Sequence, residues 1–463
     1  MPRMPSMAGL FVGTLLAGCA TSAEQSARTE FRAQAAVFAP PMASRTSTAS
    51  GALSASDQVG PVDGRLASHL KAALSQSPGL RADFERWQAA VHRISRGRRL
   101  PKPELRFGYY LRAVETRVGP QRARLGLSMA FPWPTALSAG SEAGAAEARA
   151  AQRRFEAHAL TVGRRVREAY WELWRLRRTR AIHEDHLEVV RGLSETVRAR
   201  MATGAAVLAE LQQIDLTAAR LEDSIVGMTE AERVVQSRLR AEVGAMSADL
   251  ATTDEPPPVG LPAASEAQLA AQAAEHPGVE AWAAQADAAR ARARRHDADR
   301  WPGFSVGLDW VVTGQARTAN VDRSGQDAVF LQAGLRLPAW QSSYIDDVRA
   351  AQAEARARVA QGRARHVRGV EQVQVSLSKV RDAARRVRLY RETLVPQAES
   401  AYESVLGVYT VGRGSVAQTL LSQRDLLELR VELERARTEH AQAWARLEEA
   451  VGAPVATAEG ESP

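Results

Sequence analysis

Glu104-Leu105-Arg106-Phe107-Gly108-Tyr109-Tyr110-Leu111-Arg112 decides the fold. Leu105, Phe107, Tyr109 and Leu111 alternate with Glu104, Arg106, Gly108 and Arg112, and period-two alternation puts one set on each face of a strand. A tilted strand crosses a bilayer in about 9–11 residues, and a wall between lipid and water needs one apolar and one polar face. Three more stretches read the same way. Leu125, Leu127, Met129 and Phe131 alternate with Arg124, Gly126, Ser128 and Ala130. Phe304, Val306, Leu308, Trp310 and Val312 alternate with Ser305, Gly307, Asp309 and Val311, and Val329, Leu331, Ala333, Leu335 and Leu337 with Phe330, Gln332, Gly334 and Arg336. Strands are expected at about 104–112, 124–132, 303–312 and 328–337. Leu105, Phe107, Tyr109, Leu125, Leu127, Met129, Val306, Leu308, Trp310, Leu331 and Leu335 are the expected lipid-facing side chains. A single such strand reads as a soluble sheet with one buried face. Four in two matched pairs, with Trp133, Trp301, Trp310 and Trp340 in or beside the strand ends, favour a membrane wall.

The strands sit inside a duplication. Ser77-Pro78-Gly79-Leu80 recurs as His276-Pro277-Gly278-Val279, Ala202-Thr203-Gly204 as Thr410-Val411-Gly412, and Val243-Gly244 as Val451-Gly452. The displacement of roughly 200 residues is too long for a solenoid repeat and marks a duplicated structural half. The expected organisation is a signal peptide (1–18), a flexible lipid-anchored segment (19–62) and a first repeat (63–245). A linker (246–263), a second repeat (264–452) and a loose tail (453–463) complete it.

Met7 to Ala17 is a short apolar run after Arg3, too short to span as a helix, and reads as an export signal. Leu16-Ala17-Gly18-Cys19 resembles the lipobox of bacterial lipoproteins, which makes Cys19 the expected lipidation site. Cys19 is the single cysteine, so no internal disulfide holds an exported fold.

Helices fill the rest. Val370, Val373, Leu377, Val380, Ala384, Val387, Leu394, Ala398, Ala401, Val405 and Val408 fall at alternating steps of three and four, with Arg391 the one break. The stripe is expected to continue through a mild bend at Pro396. Leu426, Leu429, Leu433, Ala436, His440, Ala443, Leu447 and Ala450 form another seam, as do Leu211, Ile214, Ala218, Leu221, Ile225 and Met228. A helix over Leu137–Arg200 is expected, on the order of 95 Å long. Gly204 and Gly412 are expected in left-handed turns that let each helix reverse, with Gly414 adding flexibility.

Catalytic, metal and nucleic-acid readings are weak. The nine histidines are scattered, and His183-Glu184-Asp185-His186 reads as a solvated helix face. No phosphate-binding loop, nucleophile elbow or zinc-protease motif occurs. The net charge of +8 is carried by Arg interleaved with Glu, not by one stripe, so no nucleic-acid partner, metal or other cofactor is expected.

Lipobox, hairpin, long helix, tight turn and helix, then the same order again, resemble the TolC-type outer-membrane efflux proteins from about Asp63 to Gly452. The sharpest match is Tyr409-Thr410-Val411-Gly412-Arg413-Gly414-Ser415, followed by Gln423-Arg424-Asp425-Leu426; Glu392-Thr393-Leu394-Val395-Pro396-Gln397-Ala398 is similar to the run before that turn. The resemblance implies an α+β membrane protein. Three protomers would each give four strands to a twelve-stranded β-barrel, continued by a helical barrel in the periplasm. It implies a non-catalytic homotrimeric duct of a Gram-negative outer membrane, serving a periplasmic adaptor and an inner-membrane pump. Thr203, Gly204, Ala205, Ala206 and Val207, with Val411, Gly412, Arg413, Gly414 and Ser415, would form the adaptor-docking tip. Glu210, Gln418 and Leu421 would stand at the aperture. Some members carry an acidic ring where Gln418 and Leu421 stand here, so cation binding is not carried over. The other function class is a structural coiled-coil lipoprotein tethering an envelope layer, which has no need of a hairpin in each half.

Overall fold

A computed structural model describes residues 22–38, 63–244 and 250–458. Cys19, the expected lipidation site, and the export signal lie outside them. The chain divides into two compact units, each drawn from both halves of the duplication. One takes residues up to 40 with 85–153 and 280–362; the other takes 41–84, 154–279 and 363–463.

The first unit holds all four strands: β1 (Glu104–Thr116), β2 (Gly119–Phe131), β3 (Gly303–Thr313) and β4 (Ala328–Arg336). They form one antiparallel sheet in the order β1-β2-β3-β4. Alternation located each strand, while β1 and β2 run further toward their shared turn than expected. Gly119 closes that turn at φ +133°, where a Cβ would lie 1.8 Å from the Gly314 carbonyl oxygen. At the opposite end Trp133 stacks on Trp301 at 5.5 Å and on Phe304 at 5.9 Å.

The segment 19–62 is not wholly a tether. Ser22–Phe38 forms a helix, α1. Its Glu24 is fully buried and bonds Arg28 and Arg98, and its Phe31 meets Trp87 edge to face at 5.0 Å. The Ala- and Ser-rich composition hid this because the burial comes from partners 56 residues (Phe31 to Trp87) and 74 residues (Glu24 to Arg98) away.

The two halves of the chain repeat one architecture. Helices α2 (Leu66–Gln76) and α6 (Glu266–Gln272) precede the duplicated motif, and α3 (Pro78–Arg93) and α7 (Pro277–Ala298) both start on its proline, where a missing N–H costs nothing. Helices α5 (Leu208–Val243) and α10 (Val416–Val451) both end on a left-handed glycine, Gly244 and Gly452. A Cβ at Gly244 would press on the Gln76 carbonyl oxygen at 2.9 Å, and one at Gly452 on His276 and Pro277 at 3.1 and 3.2 Å. The same cap therefore seats on the same turn twice. The linker and tail are more ordered than their composition suggested: Leu250 and Val455 are buried, and Pro262 pairs with Thr457 in a β-bridge.

Helix α8 (Gln341–Leu389) follows its seam, with Val373, Leu377, Val380, Ala384 and Val387 buried. The seam then slips. Tyr390–Leu394 is a π turn just ahead of Pro396, and helix α9 (Val395–Thr410) follows. A proline ring clashes with the carbonyl four residues back, and a wider turn relieves that clash by inserting a residue. Beyond it Val408 is 47% exposed and Tyr409 is 2% exposed, the reverse of the expected register.

The His183–His186 stretch lies on helix α4 (Pro134–Ala202) and is not uniformly solvated, because His186 is buried. Burial, reinforced by the Arg430 and His183 charges against the pull of Asp185, lowers its imidazole to about 4. Burial and Arg365 lower His276 to about 4 as well; its Nδ1 accepts the Gly278 N–H at 2.9 Å. Both rings are neutral in the folded chain and accept a proton more readily once unfolded. Stability present above the ordinary histidine value is therefore lost as pH falls from about 6.5 toward 4. The helical melting midpoint, followed by circular dichroism, should drop between pH 7 and 5 by the equivalent of about 2 kcal/mol per histidine. His186→Gln should remove about half of that dependence, and a midpoint constant over this range in the natural chain would contradict it.

Candidate functional site

Two features carry the functional residues: the sheet in the first unit and a pair of helix turns in the second. On the sheet, cross-strand rows are apolar on one face. Leu105, Leu127, Leu308 and Leu331 stand opposite one another, and Phe107, Leu125, Trp310 and Val329 form the next row. These side chains are unusually open, with Leu105 70%, Phe107 73%, Leu127 53%, Leu308 52% and Leu331 73% exposed. Tyr109, Val306 and Leu335 are exposed and Met129 is half-buried on the same face. A soluble sheet buries such a face; this one is bare.

The other face is polar and packed. Arg124 donates to Asp309 at 2.8 Å and lies over the Phe330 ring at 5.2 Å. With its amide turned to match, Gln332 donates to the second Asp309 oxygen at 2.9 Å and accepts from Arg124 at 3.1 Å. Arg106 donates to Ser128 at 3.1 Å. Alternation placed Asp309 on this face but gave no sign that it is buried to 3% exposure. The available signal was Gly126, its cross-strand neighbour: a Cβ there would come within 2.3 Å of Asp309 Oδ1. Gly334 makes the same allowance for Ser305, at 2.4 Å from its Oγ.

The two turns are copies in atomic detail. Gly204 (φ +74°) donates to the Met201 carbonyl at 3.0 Å, and Ala205 to Arg200 at 2.8 Å. Gly412 (φ +79°) donates to Tyr409 at 2.9 Å, and Arg413 to Val408 at 3.1 Å. This is the paired 5→2 and 6→1 bonding that closes a helix on a left-handed residue. Ser415 then caps α10 through Ala417 N–H at 3.2 Å. At the first turn the Glu210 carboxylate accepts the Val207 N–H at 3.4 Å, so this aperture candidate also starts α5.

The structure brings the turns together. Leu193, Val197 and Ile214 from the first helix pair share a core with Tyr409, Val416 and Leu420 from the second. Arg200 lies over the Tyr409 ring at 5.1 Å. Gly414 is not a flexible spacer: a Cβ there would sit 2.7 Å from the Tyr409 backbone nitrogen. Outward the turns present Thr203, Gly204, Ala205, Val207, Val411, Gly412, Arg413 and Ser415, while Ala206 and Gly414 are half-buried. Gln418 and Leu421 are exposed on α10, on the side away from buried Val416 and Leu420. Among the described residues no helix is long and apolar enough to cross a membrane, and no group of three or more His, Cys, Asp or Glu side chains is placed to hold a metal.

Residues 269–453 match the family model described as outer membrane efflux protein. Solved structures share the fold over most of the chain. The outer membrane protein VceC from Vibrio cholerae is 20% identical, with TM-score 0.67 over 84% of this chain and 96% of its own. The CmeC outer membrane channel of Campylobacter jejuni is 14% identical, with TM-score 0.65 over 90% of this chain and 94% of its own. A membrane protein from Pseudomonas aeruginosa is 16% identical, with TM-score 0.70 over 84% and 93%. A comparison with curated proteins found no match.

Proposed function

We propose that this chain is an outer membrane efflux protein and forms the outer-membrane duct of a tripartite export system. The observation that carries this reading is the bare apolar face of a sheet whose other face is polar. β1 and β4 are sheet edges, and a lipid interior supplies no partner for edge N–H and C=O groups. The sheet must therefore close by pairing β1 and β4 with other copies. Three copies give the twelve strands implied by the family resemblance.

The duct has no chemical step. Its substrate is set by an inner-membrane pump reached through a periplasmic adaptor, which docks at the turns around Gly204 and Gly412. Gln418 and Leu421, with Glu210, line the aperture there. Cys19 adds an acyl anchor to the barrel, and two membrane signals hold better than one. A coiled-coil tether gains nothing from a two-faced sheet, so that reading falls away.

The experiment is reconstitution of the full chain in planar bilayers, with electrophoresis of unheated and boiled samples. A heat-modifiable trimer and stepwise ion conductance are expected. A monomer that leaves the bilayer impermeable would overturn the duct.

A further inference from the structure

We propose that the segment leading into β1 is a basic collar that binds the anionic headgroups of phospholipids in the leaflet at the strand ends. The inference rests on the duct reading and adds a ligand class to it. Between Glu85 and Glu104 the chain has six Lys or Arg residues and no Asp or Glu. Arg93, Arg96, Arg99 and Lys102 are all exposed, and among the described residues none lies in an ion pair.

The corresponding stretch of the second repeat is also rich in arginine, but most of its arginines are paired with carboxylates. There Arg292 pairs with Glu147, Arg294 with Glu142 and Arg300 with Asp297. The duplication therefore kept its cations in both halves and left them open in one. A packing role accounts for the paired set and not for the open one.

Position selects the ligand. A Cβ at Gly97 would meet Gly140 backbone at 2.2 Å, and one at Gly144 would meet Ile94 at 3.0 Å. These contacts pin the collar to the first turns of α4, which begins three positions after β2 ends. Gly140 is about 9 Å along that helix at 1.5 Å per residue. The cations thus stand roughly one Debye length from the end of the apolar strand face. Trp133 and Trp301, the stacked pair, mark the same level, and Trp340, whose neighbour Gln341 donates to the Arg300 carbonyl at 3.4 Å, is 75% exposed. Aromatic rings with adjacent cations are what a headgroup layer accommodates, and an Arg fork matches phosphate oxygens. Arg98, in the same run, instead holds buried Glu24. Nucleic acid would meet the same charge but has no use for the bare apolar strands beside it.

The test uses trimer released from vesicles of equal phosphatidylglycerol and phosphatidylcholine, with retained lipid counted by native mass spectrometry. The natural chain should retain phosphatidylglycerol in preference. Replacing Arg93, Arg96, Arg99 and Lys102 together by Gln should reduce that preference about tenfold or more while leaving the trimer intact, since juxtamembrane cations act additively on anionic lipid. A charge-matched control, Arg220→Gln, Arg238→Gln, Arg363→Gln and Arg388→Gln, removes four exposed cations from the other unit and should leave the preference unchanged. An inserted trimer that retains both lipids equally, or loses the preference equally in both variants, overturns the collar alone. A chain that forms no trimer in these vesicles overturns the duct reading and the collar with it.

Discussion

Leu127→Arg is expected to abolish heat-modifiable trimer in the outer membrane, while Ser128→Arg still inserts. Leu127 stands between Leu105 and Leu308 in a continuous apolar row and is 53% exposed. An arginine on a lipid face near the midplane costs about 2–4 kcal/mol, and a trimer incurs that cost three times, roughly 6–12 kcal/mol. That is comparable with the whole stability of a domain. Ser128 is the next residue on the same strand, so its side chain takes the polar face. There it stands opposite Gly307, which offers no competing side chain. The measurement is trimer yield in isolated outer membranes, resolved on unheated gels. Equal yields would remove the barrel wall and return the sheet to a soluble role.

How much of this was legible follows from the range of each signal. Strand alternation is local, and each of the four strands lay where alternation put it. The left-handed turns at Gly204 and Gly412 were legible too, because a glycine's freedom at positive φ is set by the residue itself. What escaped needed information from afar. The Val408-to-Tyr409 slip escaped because heptad counting assumes a constant turn, and the π turn at Tyr390–Leu394 adds a residue. The packing of α1 escaped because Glu24 is tolerable in a core only with Arg98 across from it. Asp309 was placed on the correct face, but nothing local showed its burial. The space that buries it belongs to Gly126 on another strand, and a cross-strand vacancy cannot be seen before the register is known. Gly414 was misjudged for the same reason: its need is for closeness to Tyr409, not freedom.

The two glycines of the second turn should therefore fail differently, and the contrast tests the docking role. Gly412 sits at φ +79° with nothing within 4 Å of a Cβ, so its requirement is purely one of backbone. A β-branched residue fits that region poorly, at a cost on the order of 1–3 kcal/mol, whereas asparagine tolerates it. Gly412→Val should assemble as trimer, because the strands and the helical cores are untouched, but should lose adaptor capture and reduce export at least tenfold. Gly412→Asn should retain both. Gly414→Ala places its methyl 2.7 Å from the Tyr409 nitrogen, and the backbone there must move. Tyr409 is the ring on which Arg200 of the first turn rests, so the displacement reaches both turns. This variant should lose export as Gly412→Val does, yet no change of side-chain polarity at position 414 should restore it. Trimer level, adaptor capture and export, measured in parallel for the three variants, separate the cases. Export by Gly412→Val at the natural level, with full trimer, would mean that the adaptor does not read this turn.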